Sequence, residues 1–218
     1  VWRWRNVCRV SQKVADFPMD ASFHTCSMRE SQYPPPDRPE VAFAGRSNVG
    51  KSSLLNVLVN RRGLARTSST PGRTQAINFF SVGDRLSLVD LPGYGYARVS
   101  KETQRTWGTM VETYLRKRSN LRAVVVILDI RREPNQGDLD LLAWLKGYGR
   151  RPIVVLTKVD KLSRNQSRQR AAEIRARLEP ICTTGAVLFS AKTREGREES
   201  WKAIREATGV DSLPGRRP

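Results

Sequence analysis

The segment Gly45-Arg46-Ser47-Asn48-Val49-Gly50-Lys51-Ser52 directly follows the apolar run Val41-Ala42-Phe43-Ala44. That spacing is the P-loop pattern, and its context matters more than the string. A buried strand enters, glycines turn the chain, and Ser52-Ser53-Leu54-Leu55 opens a helix whose unpaired N–H groups attract an anion. Gly45 and Gly50 let the backbone of Arg46, Ser47, Asn48 and Val49 curl close to phosphate oxygens, where a Cβ would obstruct it. Lys51 can reach β- and γ-phosphates, and the Ser52 hydroxyl is a natural Mg²⁺ ligand.

The rest of the chain predicts an α/β protein around that loop. Strands are expected at Val41–Ala44, Ala76–Val82, Leu86–Leu91, Ala123–Ile130, Ile153–Thr157 and Val187–Ser190. Most are almost continuously apolar, as strands covered on both faces are. Helices are expected between them. One starts near Ser100, with Trp107, Met110, Val111, Tyr114 and Leu115 on one face. Another follows Asn135, with Leu141, Trp144, Leu145 and Tyr148 as its core stripe; two more span Arg164–Leu178 and Glu198–Ala207. This alternation implies a mostly parallel sheet with helices on both faces, a three-layer P-loop NTPase fold with ligands at the carboxyl ends of the strands. Residues 1–39 read as a partly flexible N-terminal arm, ending in the stiff Tyr33-Pro34-Pro35-Pro36 segment. Residues 40–209 form the domain, and 210–218 a disordered tail.

Three downstream loops narrow the ligand. Asp90-Leu91-Pro92-Gly93 ends a strand, so Asp90 can approach Mg²⁺ through water and the Gly93 N–H can meet a γ-phosphate. Thr157-Lys158-Val159-Asp160 ends another. The Asp160 carboxylate can accept from guanine N1–H and the 2-amino group, whereas adenine would leave it unpaired. The Lys158 stem can pack along the base, and Ser190-Ala191-Lys192, after Phe189, can offer N–H groups to guanine O6. The polar stretch Thr67 to Gln75 can order around Mg²⁺ and the γ-phosphate, with Thr70 and Thr74 both able to supply a hydroxyl.

Charge points to a further partner. Lys plus Arg exceed Asp plus Glu by 39 − 21 = 18. A single nucleotide does not require that much positive charge, but a polyanion such as RNA exploits it. Cys8, Cys26 and Cys182 form no CxxC pair, consistent with free thiols in a reduced cytosol. His24 is incidental, since nothing around it suggests a nucleophilic triad. No apolar stretch approaches the roughly 20 residues needed to cross a bilayer. Arg3, Arg5, Arg9 and Lys13, with no acid among the first fourteen residues, also fit an organelle transit peptide.

With these motifs in hand, residues 40–209 closely resemble the EngB (YihA/YsxC) family of TRAFAC-class, Ras-like GTPases that act in ribosome biogenesis. The resemblance rests on Ala42–Ser52, Thr70-Pro71-Gly72-Arg73-Thr74-Gln75, Asp90-Leu91-Pro92-Gly93-Tyr94-Gly95-Tyr96-Ala97 and Thr157–Asp160. It implies binding and hydrolysis of GTP to GDP, assembly of the large ribosomal subunit, and a requirement in cell division and septation. Precursor particles and ribosomal RNA are the implied partners of a monomeric, cytoplasmic bacterial protein that does not engage a membrane. It also selects Thr74 beside Ser52 as a Mg²⁺ ligand. Nucleotide contacts are implied at Gly45–Ser52, at Gly72, Arg73, Thr74, Gln75 and Ala76, at Asp90, Leu91, Pro92 and Gly93, at Thr157, Lys158, Val159 and Asp160, and at Phe189, Ser190 and Ala191. Tyr94 stands where many GTPases carry a water-positioning Gln, so intrinsic turnover is expected to be slow. Asn48 matches the position that helps hold K⁺ in related potassium-dependent GTPases. Lys51, Asn48 and Thr74 are then the candidate catalytic residues. The rival readings are an RNA-binding assembly module with a structural nucleotide, and a P-loop kinase or ATPase, against which Asp160 argues.

Overall fold

A computed structural model describes residues 20–65, 76–94, 101–182 and 185–210, with the side chains of 101–107 outside the description. In chain order the strands and α-helices are β1 (Ala21–Ser27), β2 (Glu40–Gly45), α1 (Lys51–Leu58), β3 (Ile77–Val82), β4 (Leu86–Asp90), α2 (Lys101–Lys117), β5 (Leu121–Asp129), α3 (Gln136–Gly147), β6 (Arg151–Thr157), α4 (Arg164–Leu178), β7 (Val187–Leu188) and α5 (Arg197–Thr208). Among the described residues the strands form one seven-stranded sheet in the order β1-β3-β4-β2-β5-β6-β7. β3 runs antiparallel to both its neighbours, and the remaining pairings are parallel.

Period-two alternation sends the side chains of β2 to two different cores. Val41 and Phe43 join Leu54, Leu58, Trp201 and Ile204 beneath α1 and α5. Ala42 and Ala44 join Tyr114, Leu142, Leu145, Ile174 and Leu178 beneath α2, α3 and α4. Double coverage explains why β2 after Glu40 and most of β5 are apolar without a break. The parallel topology then collects Gly45, Asp90, Asp129 and Thr157 at one end of the sheet.

Local signals set the helix boundaries. Asn135 Oδ1 accepts from Asp138 N–H at 3.0 Å, and Asp138 Oδ2 accepts from Asn135 N–H at 2.9 Å, closing a capping box before α3. Ser163 and Gln166 do the same for α4. At Gly196 an added Cβ would lie 1.9 Å from the Leu188 carbonyl oxygen, so no other residue fits the entry to α5.

Two expectations need correction. Residues 21–39 are not an arm: β1 pairs along β3 from Ala21↔Val82 to Ser27↔Ile77. A register shift between Phe23 and Thr25 leaves His24 out of the ladder, on an exposed stretch. The rest of this segment docks as well. Tyr33 stacks near Phe79 and Tyr114, each with centroids 5.6 Å away, and Arg118 Nη2 donates to Pro34 O at 2.8 Å. The same guanidinium holds the buried Glu40 carboxylate at 2.6 Å, and Tyr114 Oη donates to that carboxylate at 2.9 Å. As an edge strand reading Ala-Ser-Phe-His-Thr-Cys-Ser, β1 lacks the apolar run that marks a central strand. The second correction is Tyr148, expected in the core stripe of α3 but 47% exposed. Leu142 and Leu145 fill the core instead, with Leu141 and Trp144 packed partly buried against it. Residues 1–19 and 211–218 lie outside the described residues; Cys26 is exposed and Cys182 buried. Among the described residues no helix is long and apolar enough to cross a membrane.

Candidate nucleotide-binding site

The loop from Gly45 to Gly50 is shaped by close approach and positive φ. A Cβ on Gly45 would stand 2.9 Å from the Ile127 carbonyl oxygen. Asn48 and Gly50 adopt φ of 60° and 108°, left-handed values that glycine tolerates at no steric cost and asparagine at little. Two residues at the carboxyl end of β6, on the same side of the sheet, hold the loop. Thr157 Oγ1 donates to Val49 O at 2.6 Å, and Lys158 Nζ donates to Asn48 O at 2.7 Å. Because carbonyl and N–H of a trans peptide point oppositely, holding the Val49 carbonyl turns the Gly50 N–H toward the cradle. α1 begins at Lys51 and places Ser52 in its first turn.

Lys51 pairs directly with Asp90 at the end of β4, and their side chains are only 11% and 7% exposed. Beyond it, Leu91 and Pro92 are buried and Gly93 comes against the loop, where a Cβ would meet Ser47 Oγ at 3.1 Å. Ser47 N–H donates to Tyr94 O at 3.3 Å, so the Gly93–Tyr94 backbone lies across the P-loop. The Tyr94 hydroxyl donates to Asp138 Oδ1 at 2.7 Å. Burial, and then the Asp138 charge, push this phenol far above its ordinary value. Tyr94 is therefore a neutral donor committed to Asp138.

The loops that follow β6 and β7 are joined by backbone ties. Lys158 takes a left-handed φ of 65°. Phe189 is buried, and its carbonyl accepts from Val159 N–H at 3.3 Å, which brings the two loops together. Ser190 Oγ donates to Asp160 Oδ1 at 2.7 Å and accepts from the N–H groups of Lys192 and Thr193, both at 3.1 Å. Ala191 stands at the exposed tip of that turn. The Asp160 carboxylate is thus held in one orientation by Ser190.

Asp129 and Asp138 were not singled out in the sequence, yet both organise the site. Asp129 accepts from Arg131 Nε at 2.9 Å and Nη2 at 2.7 Å, and pairs with Lys158 at 3.0 Å. Burial alone would raise its carboxyl group, but the Arg131 and Lys158 hydrogen bonds outweigh that and hold it far below the carboxylate range. A carboxylate at the end of the strand after Asp90's was the available signal. A cleft of about 170 Å³ opens beside the loop between Ser47, Asn48, Asp129 and Arg132. Thr70 and Gly72, Arg73, Thr74 and Gln75 lie outside the described residues; Ala76 is half-buried at the entry to β3.

A glycine-turned loop, a carboxylate oriented by Ser190 and a glycine packed on the loop thus meet at one end of the sheet. Comparison with known proteins agrees. Residues 40–158 match the family model described as 50S ribosome-binding GTPase. The probable GTP-binding protein EngB of Trichlorobacter lovleyi is 54% identical over 194 residues, 88% of this chain and 96% of that protein. Its counterpart in Syntrophus aciditrophicus is 58% identical over 179 residues, 82% of this chain and 90% of that protein. A crystal structure of a probable GTP-binding protein engB shares the fold, with a TM-score of 0.60 over 78% of this chain and 98% of that one, at 24% identity. The chain belongs to the EngB family of P-loop proteins that bind and hydrolyse GTP.

Proposed function

We propose that this GTPase is a switch for large ribosomal subunit assembly, needed for normal septation and cell division, acting as a cytoplasmic monomer with Mg²⁺. One observation carries the switch. With Lys51 engaged by Asp90 and Tyr94 O accepting from Ser47 N–H, the P-loop is closed by its own chain. A γ-phosphate competes for Lys51 and for the Gly93 N–H, so GTP and GDP stabilise different positions of the Gly93–Tyr94 segment. That differential contact is the free energy a switch requires.

The residues then divide the work. Asp160, oriented by Ser190, reads guanine. The Gly50 N–H and Lys51 bind phosphate oxygens. Ser52 and Thr74 would offer the hard oxygen donors that suit Mg²⁺, with Asp90, relieved of Lys51, reaching it through water. That ion would neutralise charge developing on the β- and γ-oxygens. Tyr94 does not position water, since its hydroxyl is committed to Asp138. K⁺ held near Asn48 would supply the compensating charge. The Asn48 carbonyl is braced by Lys158 while the residue stays exposed beside the loop, which supports that role. Equal turnover in KCl and NaCl would remove K⁺ from this account.

The +18 charge and the ribosomal description of the matching family model support the particle as partner. Sedimentation with ribosomal subunits tests it. Co-sedimentation that is stronger with a GTP analogue than with GDP is expected. Equal recovery with both nucleotides would reduce the chain to an RNA-binding module with a structural nucleotide, and no recovery would remove the partner.

A further inference from the structure

The end of the sheet opposite the nucleotide site has its own chemistry. The strands β5 and β6 begin there, and α2, α3 and α4 end there. Contacts tie these termini into one surface. Arg150 Nη2 donates to Arg116 O at 2.8 Å and Arg150 Nη1 to Leu121 O at 3.3 Å, joining α2, β5 and the start of β6. Lys146 Nζ donates to Pro180 O at 3.2 Å, joining α3 to the end of α4. Exposed on this surface are Arg116, Arg122, Lys146, Arg151, Arg175 and Arg177. Arg116, Arg122, Arg175 and Arg177 have no carboxylate at ion-pair distance among the described residues.

Helix C-termini attract basic residues through their carbonyl dipoles, which accounts for Arg116, Lys146 and Arg175. It does not account for Arg122 and Arg151, which lie on strands. Nor does it account for Tyr148, the residue that follows α3 at this same end of the sheet. Tyr148 is 47% exposed, and its ring stacks on Trp144 with centroids 4.3 Å apart. Its backbone is fixed too: Tyr148 N–H donates to Trp144 O at 3.0 Å, and Arg150 N–H to Leu145 O at 2.8 Å across left-handed Gly149. A rigid aromatic face set among guanidinium groups is the equipment of a site for unpaired nucleic acid. Bases stack on the ring, and planar guanidinium forks grip phosphodiesters. The other large exposed apolar side chains among the described residues, Phe23 and Met28, lie on or just after edge strand β1. The basic end thus lacks the broad apolar face a membrane surface would need.

We infer that the end of the sheet formed by Tyr148, Arg116, Arg122, Arg151 and Arg175 is a docking surface for single-stranded RNA, with Tyr148 as a base-stacking platform. The inference rests on the RNA-partner reading above and adds a prediction of its own. Because this surface and the phosphate loop occupy opposite ends of the same strands, its affinity for RNA is independent of the bound nucleotide. RNA anchors the protein at one end while GTP governs contacts at the other.

Fluorescence anisotropy with the full chain and a labelled single-stranded RNA of mixed sequence, across a salt series, tests this. Tyr148→Ala should weaken binding about 5- to 150-fold, the loss of one stacked base, while Tyr148→Phe keeps wild-type affinity. Replacing Arg116, Arg122 and Arg175 together by Ala should flatten the log–log salt slope by about 2, given about 0.7 per phosphate on single strands. GTP hydrolysis should be unchanged in every variant, and RNA affinity the same in GTP analogue and GDP. Unaltered binding by both the Tyr148→Ala and the triple variant overturns this surface while leaving an RNA partner standing. Equal affinity for duplex RNA or polyglutamate overturns the stacking role. If the unmodified chain binds no RNA, the inference fails; failure of the broader reading is seen separately, as loss of particle sedimentation.

Discussion

The two ends of one parallel sheet treat charge in opposite ways. At the carboxyl ends each carboxylate is already engaged inside the molecule: Asp90 by Lys51, Asp129 by Arg131 and Lys158, and Asp160 by Ser190. At the amino ends the buried carboxylate Glu40 is satisfied by Arg118 and Tyr114, but Arg116, Arg122 and Arg175 are exposed. The first pattern is preorganisation, in which groups are held before the ligand arrives and little reorganisation is required. The second is an open electrostatic surface, useful for a partner with many repeated charges and sensitive to salt. The contrast predicts that single substitutions at the nucleotide end act sharply on chemistry, whereas those at the basic end act gradually on association.

Asp160→Asn should give the largest effect. Losing a charged acceptor for two guanine donors should weaken GTP binding by about 10- to 150-fold. Affinity for xanthosine triphosphate should rise, because the 2-oxo group of xanthine accepts from the new amide N–H. Calorimetric titration with both nucleotides decides it, and unchanged guanine preference would mean that the base is read elsewhere. If RNA affinity fell in the same variant, the separation between the two ends would be broken.

Asp129 should show a smaller effect, visible through pH. Its folded carboxyl group sits below its unfolded value, so the stabilisation is complete above about pH 4 and drains away as pH falls further. Asp129→Asn should cost about 1–3 kcal/mol at neutral pH, the scale of losing a charged acceptor from a buried network. It should also flatten the acid limb of stability. Urea unfolding at a series of pH values measures both, and an unaltered acid limb would show that Arg131 and Lys158 do not set this titration.

Tyr94→Phe should have the mildest effect. It removes only the hydroxyl that Asp138 accepts, leaving ring and backbone in place. Losing one hydrogen bond that favours the closed position should raise affinity for a GTP analogue relative to GDP by about three- to tenfold. Thermal stability should fall only slightly. A ratio that stays constant, or moves toward GDP, would show that Asp138 does not bias the Gly93–Tyr94 segment.

Much of this architecture is readable from the chain because its signals are local. The apolar runs of β2, β4, β5 and β6 and the capping residues Asn135 and Ser163 announce their elements within a few positions. β1 is not readable that way, since an edge strand with one side open carries no continuous apolar run. Tyr148 was misplaced for a related reason. It continues the spacing of Trp144 and Leu145, but α3 ends at Gly147, and the turn through Gly149 leaves the ring outside. Asp138 reads as an ordinary helix-start residue until the fold brings Tyr94 to it across 44 positions.

The amino-acid sequence alone sets the local chemistry: a glycine-turned loop before a helix, a carboxylate just past the end of β6, a Tyr after Gly93 and a large positive charge. Each depends on residue type and short-range spacing, which constrain the backbone directly. Only the tertiary structure decided that Thr157 and Lys158 hold the P-loop carbonyls from 108 and 110 residues away. It alone decided that Asp138 claims the Tyr94 hydroxyl, and that guanidinium groups gather around an exposed aromatic at the far end. Such pairings follow from which strand ends the parallel crossovers align, a long-range outcome of packing that no local pattern encodes.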